Sequence, residues 1–121
     1  MATWNLESTR HHLLICNGGS CMKNGAEALT TAVRTAIKTN HLDDYIHTTR
    51  TRCNGRCRDK CVLIAYPEGH WYKNMVPADA PSLIESLKSN TAYLPKLSHS
   101  FTGEGFARKD GIESGRDKPA E

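Results

Sequence analysis

The sequence predicts an α/β protein whose elements follow the order β-α-β-β-β-α over residues 10–89. Three observations lead to this prediction. Short apolar runs such as CVLIAY at 61–66 are typical of buried strands. Two longer segments repeat their apolar residues at helical spacing. The short turn Pro67-Glu68-Gly69 joins two of the strands, which makes that pair an antiparallel hairpin. A chain of 121 residues is expected to fold as one domain around one core.

The first half of the chain supplies a strand, a helix and a second strand. The run HHLLIC at 11–16 predicts a buried strand, and a loop of composition NGGS follows it. Asn24 and Glu27 resemble a capping box, so we expect a helix to begin there and to end near Asn40. Residues 44–50 are rich in β-formers and predict the second strand. The apolar face of the helix, which we expect in the core, consists of Ala26, Leu29, Val33, Ala36 and Ile37.

The second half supplies a hairpin, a helix and an extension. Residues 61–66 and 70–75 are the predicted third and fourth strands, and the third is apolar enough to be central. Pro77 and Asp79 introduce a second helix with an apolar stripe. Its members are Ala80, Leu83, Ile84 and Leu87. After Asn90, glycines and prolines interrupt a segment with few aliphatic residues. We therefore expect residues 1–90 to form the domain and residues 91–121 to be an irregular, partly disordered extension.

Composition and charge exclude several classes of protein. No apolar run is long enough to cross a membrane. Residues 1–10 lack an apolar signal region, so we expect a cytoplasmic protein. The formal net charge of +3 is too small to indicate a nucleic-acid partner. We see no nucleophile–base pair and no nucleotide-binding loop, so we expect a protein that is not an enzyme.

The five cysteines are the informative residues. An odd number in a chain without a signal region favours reduced thiols that bind a metal or carry out redox chemistry. Four of them form two pairs, Cys16 with Cys21 and Cys53 with Cys57. A structural zinc site needs four thiolates, and these intervals are wide for zinc but allowed. A [2Fe-2S] cluster takes two thiolates per iron, so two separated pairs suit it well. A zinc-stabilised interaction module, with the four cysteines as zinc ligands, therefore stays open beside an iron–sulfur protein.

The two cysteine pairs, the loop CNGRC at 53–57 and the hairpin VLIAYPEGHWY at 62–72 resemble the thioredoxin-like [2Fe-2S] ferredoxins. The resemblance covers about residues 11–88. It implies a thioredoxin-like fold with a four-stranded mixed sheet and two helices. The whole sequence is also similar to ferredoxin-like proteins of bacilli that are associated with cobalamin synthesis.

The resemblance also implies a site and a function. It implies that one [2Fe-2S] cluster is the cofactor and that the protein carries single electrons to a redox partner, such as a flavoprotein or a reductase. It also implies a homodimer, and from the composition we expect neither nucleic acid nor a membrane as partner. The implied cluster ligands are Cys16, Cys21, Cys53 and Cys57.

Three further features of the sequence lead to expectations about this site. Lys60-Cys61 stands where the family usually has Gly-Pro, and we interpret Cys61 as a small buried residue opening the third strand, with a spare ligand as the alternative. Gly18, Gly19 and Gly55 would let backbone amides approach sulfur. A basic run that only Asp59 opposes would raise the reduction potential and attract an acidic partner. The basic residues are Arg50, Arg52, Arg56, Arg58 and Lys60.

Overall fold

The structure of the protein is a computed structural model that describes residues 3–119. One mixed sheet of six strands runs through it in the order β2-β1-β3-β4-β5-β6. The strands are β1 His11–Cys16, β2 Ile46–Thr51, β3 Leu63–Tyr66, β4 His70–Tyr72, β5 Leu97–Phe101 and β6 Phe106–Arg108. The helices are α1 Gly19–Lys23, α2 Ala26–Thr39 and α3 Ala80–Lys88.

The sheet is mixed because the chain crosses from β1 to β2 through α2. This connection makes β1 and β2 parallel, with His11 beside Ile46 and Cys16 beside Thr51. All other neighbours in the sheet are antiparallel, including the predicted hairpin of β3 and β4. The α/β class, the mixed sheet and the order of the six predicted elements are therefore confirmed.

The core lies between the sheet and the two longer helices. Alternate residues of β1 are buried, and Leu13 and Ile15 have no exposed surface. The predicted apolar faces of α2 and α3 are buried as well, so the helical periodicity is confirmed. Each fully buried leucine or isoleucine stabilises the fold by about 2 kcal/mol relative to an exposed one. This packing holds the ends of β1 and β2 in place, which is where the site lies.

The predicted start of the first long helix is wrong. Asn24 does not cap α2, because its side-chain amide donates to the carbonyl oxygen of Ser20 and closes the short helix α1. Gly25 is the residue before α2, and its φ of 92° makes the sharp turn between the two helices. The predicted end is confirmed, since Asn40 caps α2 and donates to the carbonyl of Ala36.

The expectation of an irregular extension after Asn90 is wrong for residues 97–108. β5 pairs with β4, placing His99 beside Trp71, and β6 pairs with β5. The sheet therefore has six strands where the sequence predicted four. β6 is exposed throughout, so its sequence lacks the alternation of apolar and polar residues that would predict a strand. Residues 113–119 have neither helix nor strand.

β4 is shorter than predicted and ends at Tyr72. The following residues leave the sheet because they bond to the loop before β3. The amide of Asn74 donates to the carbonyl of Asp59, and the amide of Met75 donates to the carbonyl of Cys61. These two bonds fix the loop that carries half of the candidate site.

Candidate metal centre

The two cysteine pairs meet at the end of the sheet where β1 and β2 finish. Cys16 is the last residue of β1, and Cys21 lies in α1. Cys53 lies in the segment between β2 and β3, and Cys57 begins a 3-10 turn, Cys57–Asp59, in the same segment. All four side chains line one cavity. The structure therefore brings together every cysteine that was predicted as a ligand. Cys21 lies in the short helix α1, which the sequence analysis did not predict.

The two pairs differ in their exposure to solvent. Cys16 and Cys21 are each 3% exposed, whereas Cys53 and Cys57 are exposed. The sulfurs of Cys53 and Cys57 are 3.5 Å apart. We call Cys16 and Cys21 the inner pair, and Cys53 and Cys57 the outer pair. A group bound in this cavity would have one side inside the protein and one side at the surface.

Gly18 permits the two halves of the site to approach each other. A Cβ atom at this position would lie 2.7 Å from both the Cα and the backbone nitrogen of Cys53. The turn between β1 and α1 thus packs directly on the backbone of the outer pair. Gly19 is different, because a Cβ atom there would meet nothing within 4 Å. Of these two glycines, only Gly18 is required by close packing.

Backbone amides point at the sulfur atoms, as the glycines predicted. The amide of Gly55 is 3.3 Å from the sulfur of Cys53, and Gly55 has a φ of 81° that favours glycine. Burial acts to raise the pKa of Cys16, but hydrogen bonds to its sulfur from the backbone amides of Gly18 and Asn54 outweigh burial and lower that pKa. The loops on both sides of the cavity therefore stabilise negative charge on sulfur.

The inner pair holds a proton that a metal would have to displace. Burial, with the neighbouring Cys16 thiol, raises the pKa of Cys21 to about 12. Two thiols in contact cannot both ionise easily, so one gains acidity while the other loses it. Thiolates are the form that binds metal, and binding therefore releases this proton.

Among residues 3–119, Arg56 is the one basic side chain that lines the cavity with the cysteines. Its Nε is 2.7 Å from Oδ2 of Asp59, and both side chains are mostly buried. The other basic residues of the run, at positions 50, 52, 58 and 60, are more open to solvent. The expectation that only Asp59 opposes the basic run is wrong. The carboxylate of Glu113, in the C-terminal segment, lies 3.9 Å from the guanidinium of Arg58.

Cys61 lies behind the site and does not line the cavity. It is 2% exposed, and its sulfur is 3.3 Å from the carbonyl oxygen of Asn24 and 3.5 Å from that of Cys21. Burial raises the pKa of its thiol. The interpretation as a small buried residue fits this position, although β3 begins two residues later, at Leu63.

The donor set fits an iron–sulfur cluster. The four thiols form two pairs along one cavity, and a [2Fe-2S] cluster takes two thiolates on each iron. Sulfur ligands suit such clusters, and the amides that point at the sulfurs suit their negative charge.

The family model described as thioredoxin-like [2Fe-2S] ferredoxin matches residues 4–88. The chain belongs to this family. Its cofactor is therefore a [2Fe-2S] cluster, and it is an electron carrier rather than an enzyme. The alternative of a zinc-stabilised module is set aside. Within the described residues 3–119, no helix is long and apolar enough to span a bilayer.

Two relatives of this ferredoxin extend the comparison. A protein of Priestia megaterium that bears the name of a 2Fe-2S ferredoxin is 42% identical over 115 residues, which cover 94% of this chain and 90% of the relative. The 2Fe-2S ferredoxin of Clostridium pasteurianum is 29% identical over 97 residues, covering 73% of this chain and 94% of the relative. The Priestia protein therefore matches most of the C-terminal extension as well as the cluster domain.

Solved structures confirm the thioredoxin-like fold. The wild-type thioredoxin-like [2Fe-2S] ferredoxin of Aquifex aeolicus superposes with a TM-score of 0.70 and is 25% identical, covering 74% of this chain and 96% of the other. A second structure of a ferredoxin from that organism gives a TM-score of 0.72 at 23% identity, covering 87% and 99%. The family model ends at residue 88, so β5, β6 and the C-terminal segment lie beyond it.

Proposed function

We propose that Cys16, Cys21, Cys53 and Cys57 ligate the [2Fe-2S] cluster, with the inner pair on one iron and the outer pair on the other. The observation that supports this assignment is that all four thiols line a single cavity. The pairing follows from the contacts, since the outer sulfurs are 3.5 Å apart and the inner thiols are hydrogen-bonded neighbours.

The bound cluster supplies a centre that accepts and returns one electron. The chain contributes the surroundings of that centre. Amides of Gly18, Asn54 and Gly55 donate to sulfur and stabilise its negative charge. The buried inner pair excludes water from one side of the cavity, while the exposed outer pair forms the surface where a partner protein approaches.

Removing the thiols one at a time tests the assignment. Cys16→Ala, Cys21→Ala, Cys53→Ala and Cys57→Ala are each expected to abolish the visible absorption of the cluster, because each leaves one iron with a single thiolate. Iron and acid-labile sulfide, measured after anaerobic purification, are expected to fall well below about two of each per chain.

Cys61→Ala is the matched control for these four variants. It removes a buried thiol that does not line the cavity and is expected to leave iron, sulfide and spectrum unchanged. Loss of the cluster in Cys61→Ala, or its full retention in any of the other four variants, would contradict the assignment.

We further propose that the redox partner is an acidic protein, such as a flavoprotein or a reductase. The exposed basic side chains beside the outer pair support this proposal. A positive rim accelerates encounter with a negative partner, and salt weakens the effect. The similarity of the whole sequence to bacillar proteins associated with cobalamin synthesis supports a partner in that pathway. The family resemblance also supports a homodimer, which sedimentation analysis tests.

The double variant Arg52→Gln/Arg58→Gln tests the charged rim. Its reduction by a reduced flavodoxin, a small acidic flavoprotein, is expected to slow by roughly tenfold at low salt and to match the wild type near about 0.5 M salt. Arg10→Gln/Lys38→Gln makes the same change in charge on exposed residues at the other end of β1 and α2 and is the control. Equal slowing in both double variants would exclude a local docking surface.

A further inference from the structure

Arg56 connects the cluster cavity to a distant part of the chain. One terminal nitrogen of its guanidinium, Nη1, donates to the carbonyl oxygen of Ser114 at 3.1 Å, and the other, Nη2, donates to the carbonyl oxygen of Glu113. Its Nε donates to Asp59. All three nitrogens of a side chain that lines the cavity are therefore bound to fixed acceptors. We call residues 112–115 the clamp.

The clamp is held against the protein by its own contacts. Ile112 is 8% exposed, and its carbonyl oxygen accepts a hydrogen bond of 2.6 Å from Arg108, the last residue of β6. Gly115 has a φ of 84°, and a Cβ atom there would lie 2.9 Å from Nη1 of Arg56. The chain thus turns closely around the guanidinium at a position that favours glycine.

The clamp and the cysteine cavity share a wall. We call residues 53–59, which carry the outer pair, the outer loop. A second cavity lies between the outer loop and the clamp, and Glu113 and Gly115 line it. Arg56 and Cys57 line both cavities. A change in the clamp therefore reaches the cluster site through one guanidinium and one predicted ligand.

We propose that the clamp positions the Arg56 guanidinium at the cluster and so raises the reduction potential of the cluster. This inference rests on the ligand assignment proposed above. Asp59 holds only Nε of this side chain, so without the carbonyls of Glu113 and Ser114 the two terminal nitrogens of the guanidinium can turn toward solvent, where water screens their charge. Glu113 and Ser114 hold that charge at the cavity, where it favours the more negative, reduced state of the site.

Linkage gives the proposal a second consequence. If the closed clamp favours the reduced protein, then reduction must favour the closed clamp by the same free energy. Amide hydrogen exchange in residues 113–115 is therefore expected to be slower in the reduced protein than in the oxidised one. Equal exchange in the two states would overturn the link between clamp and electron.

Two truncated forms test the inference directly. The form ending at residue 112 keeps the buried Ile112 and loses both clamp carbonyls, whereas the form ending at residue 115 keeps them and is the control. At a fixed applied potential near the midpoint, we expect the ratio of reduced to oxidised protein to be about threefold lower in the shorter form. We also expect an iron chelator to remove the cluster about tenfold faster from it.

The sign of the change separates positioning from simple charge. Both truncated forms end in a terminal carboxylate and only the longer one keeps the Glu113 side chain, so the shorter form carries one negative charge fewer than its control. The loss of a negative charge by itself would favour reduction. A fall in the reduced fraction therefore reports the guanidinium and not the deleted charge. Glu113→Gln keeps the backbone carbonyl and is expected to behave like the wild type or to favour reduction slightly.

Arg56→Lys provides the second variant because it keeps the charge and loses the planar fork. It is expected to reproduce the effect of the shorter form, and truncation at residue 112 should add little to it. Identical potentials and chelator rates in the forms ending at 112 and 115 would overturn the inference. Full retention of the cluster in one of the four variants Cys16→Ala, Cys21→Ala, Cys53→Ala and Cys57→Ala would instead overturn the ligand assignment on which the inference rests.

Discussion

Gly18 shows how one residue decides whether the two cysteine pairs can meet. The turn after β1 lies so close to Cys53 that a single methyl group would overlap its backbone. Backbone atoms cannot rotate away as a flexible side chain can, so the loop itself would have to move. The distance between the inner and outer pairs therefore depends on the absence of a side chain at residue 18.

We predict that Gly18→Ala weakens cluster binding, because the outer loop must shift away from the inner pair. Gly19→Ala is the matched control, since a Cβ atom there has no neighbour within 4 Å. The measurement is the rate at which an iron chelator removes the cluster, with an expected increase on the order of tenfold for Gly18→Ala alone. Equal rates for the two variants would show that the close packing does not matter.

The sequence predicts the four cysteines that line the cavity but not the contacts of Arg56. The spacing of the cysteines is visible in the sequence, and the family resemblance implies that four of them are ligands. Arg56 is visible in the sequence only as one member of a basic run. Its partners Glu113 and Ser114 are 57 and 58 positions away, and nothing local links them. Such contacts depend on how β5 and β6 carry the chain back to the site.

At the scale of elements, the carboxylate of Asp79 connects the segment before α3 with the segment after it. It accepts hydrogen bonds from the hydroxyl of Tyr93 at 2.6 Å, the amide of Val76 at 2.8 Å and the ammonium of Lys96 at 2.9 Å. Burial acts to raise the pKa of Asp79, but these donors outweigh burial and lower that pKa. The bond to Asp79 is also the main reason why the pKa of Tyr93 rises to about 12. The residues before and after α3 are thus tied to one carboxylate.

We predict that Asp79→Asn lowers the free energy of unfolding by about 2 kcal/mol at neutral pH, because a buried charged acceptor of three hydrogen bonds is lost. The folded-state pKa of Asp79 is below its ordinary value of 3.8, so this stabilisation is fully present above pH 3.8 and is lost as the pH falls through the folded-state pKa. Urea unfolding at several pH values measures it.

Asp43→Asn, which changes an exposed carboxylate, is the control for that experiment. The difference between the wild type and Asp79→Asn should be constant between about pH 5 and 7 and should shrink in acid. A difference that grew as the pH fell would contradict the ion-paired carboxylate.

The elements that sequence reasoning missed share a physical cause. β6 is exposed along its whole length and therefore carries no alternation of apolar and polar residues. β5 gains its hydrogen bonds from β4, a neighbour more than twenty residues earlier in the chain. Phe101 and Phe106 flank a turn with two glycines, which is a hairpin signal that the low aliphatic content concealed.

At the scale of the molecule, the architecture followed from patterns that repeat over many residues. Helical periodicity identified α2 and α3, and short apolar runs identified β1 and β3. α1 was not predicted, because its five residues are too few to show a helical period. The predicted start of the extension, after residue 90, lies close to the end of the family model at residue 88. The extension nevertheless adds two strands to the sheet.

The unequal exposure of the two cysteine pairs has a consequence for the order in which redox partners bind this ferredoxin. Both exposed cysteines lie in the one segment between β2 and β3. An electron donor and an electron acceptor that approach the cluster there must therefore bind the same surface. Two proteins cannot occupy one small surface together, so the donor must leave before the acceptor arrives. A carrier with one such surface is expected to bind its partners in turn, and tight binding to either partner would slow the flow of electrons between them.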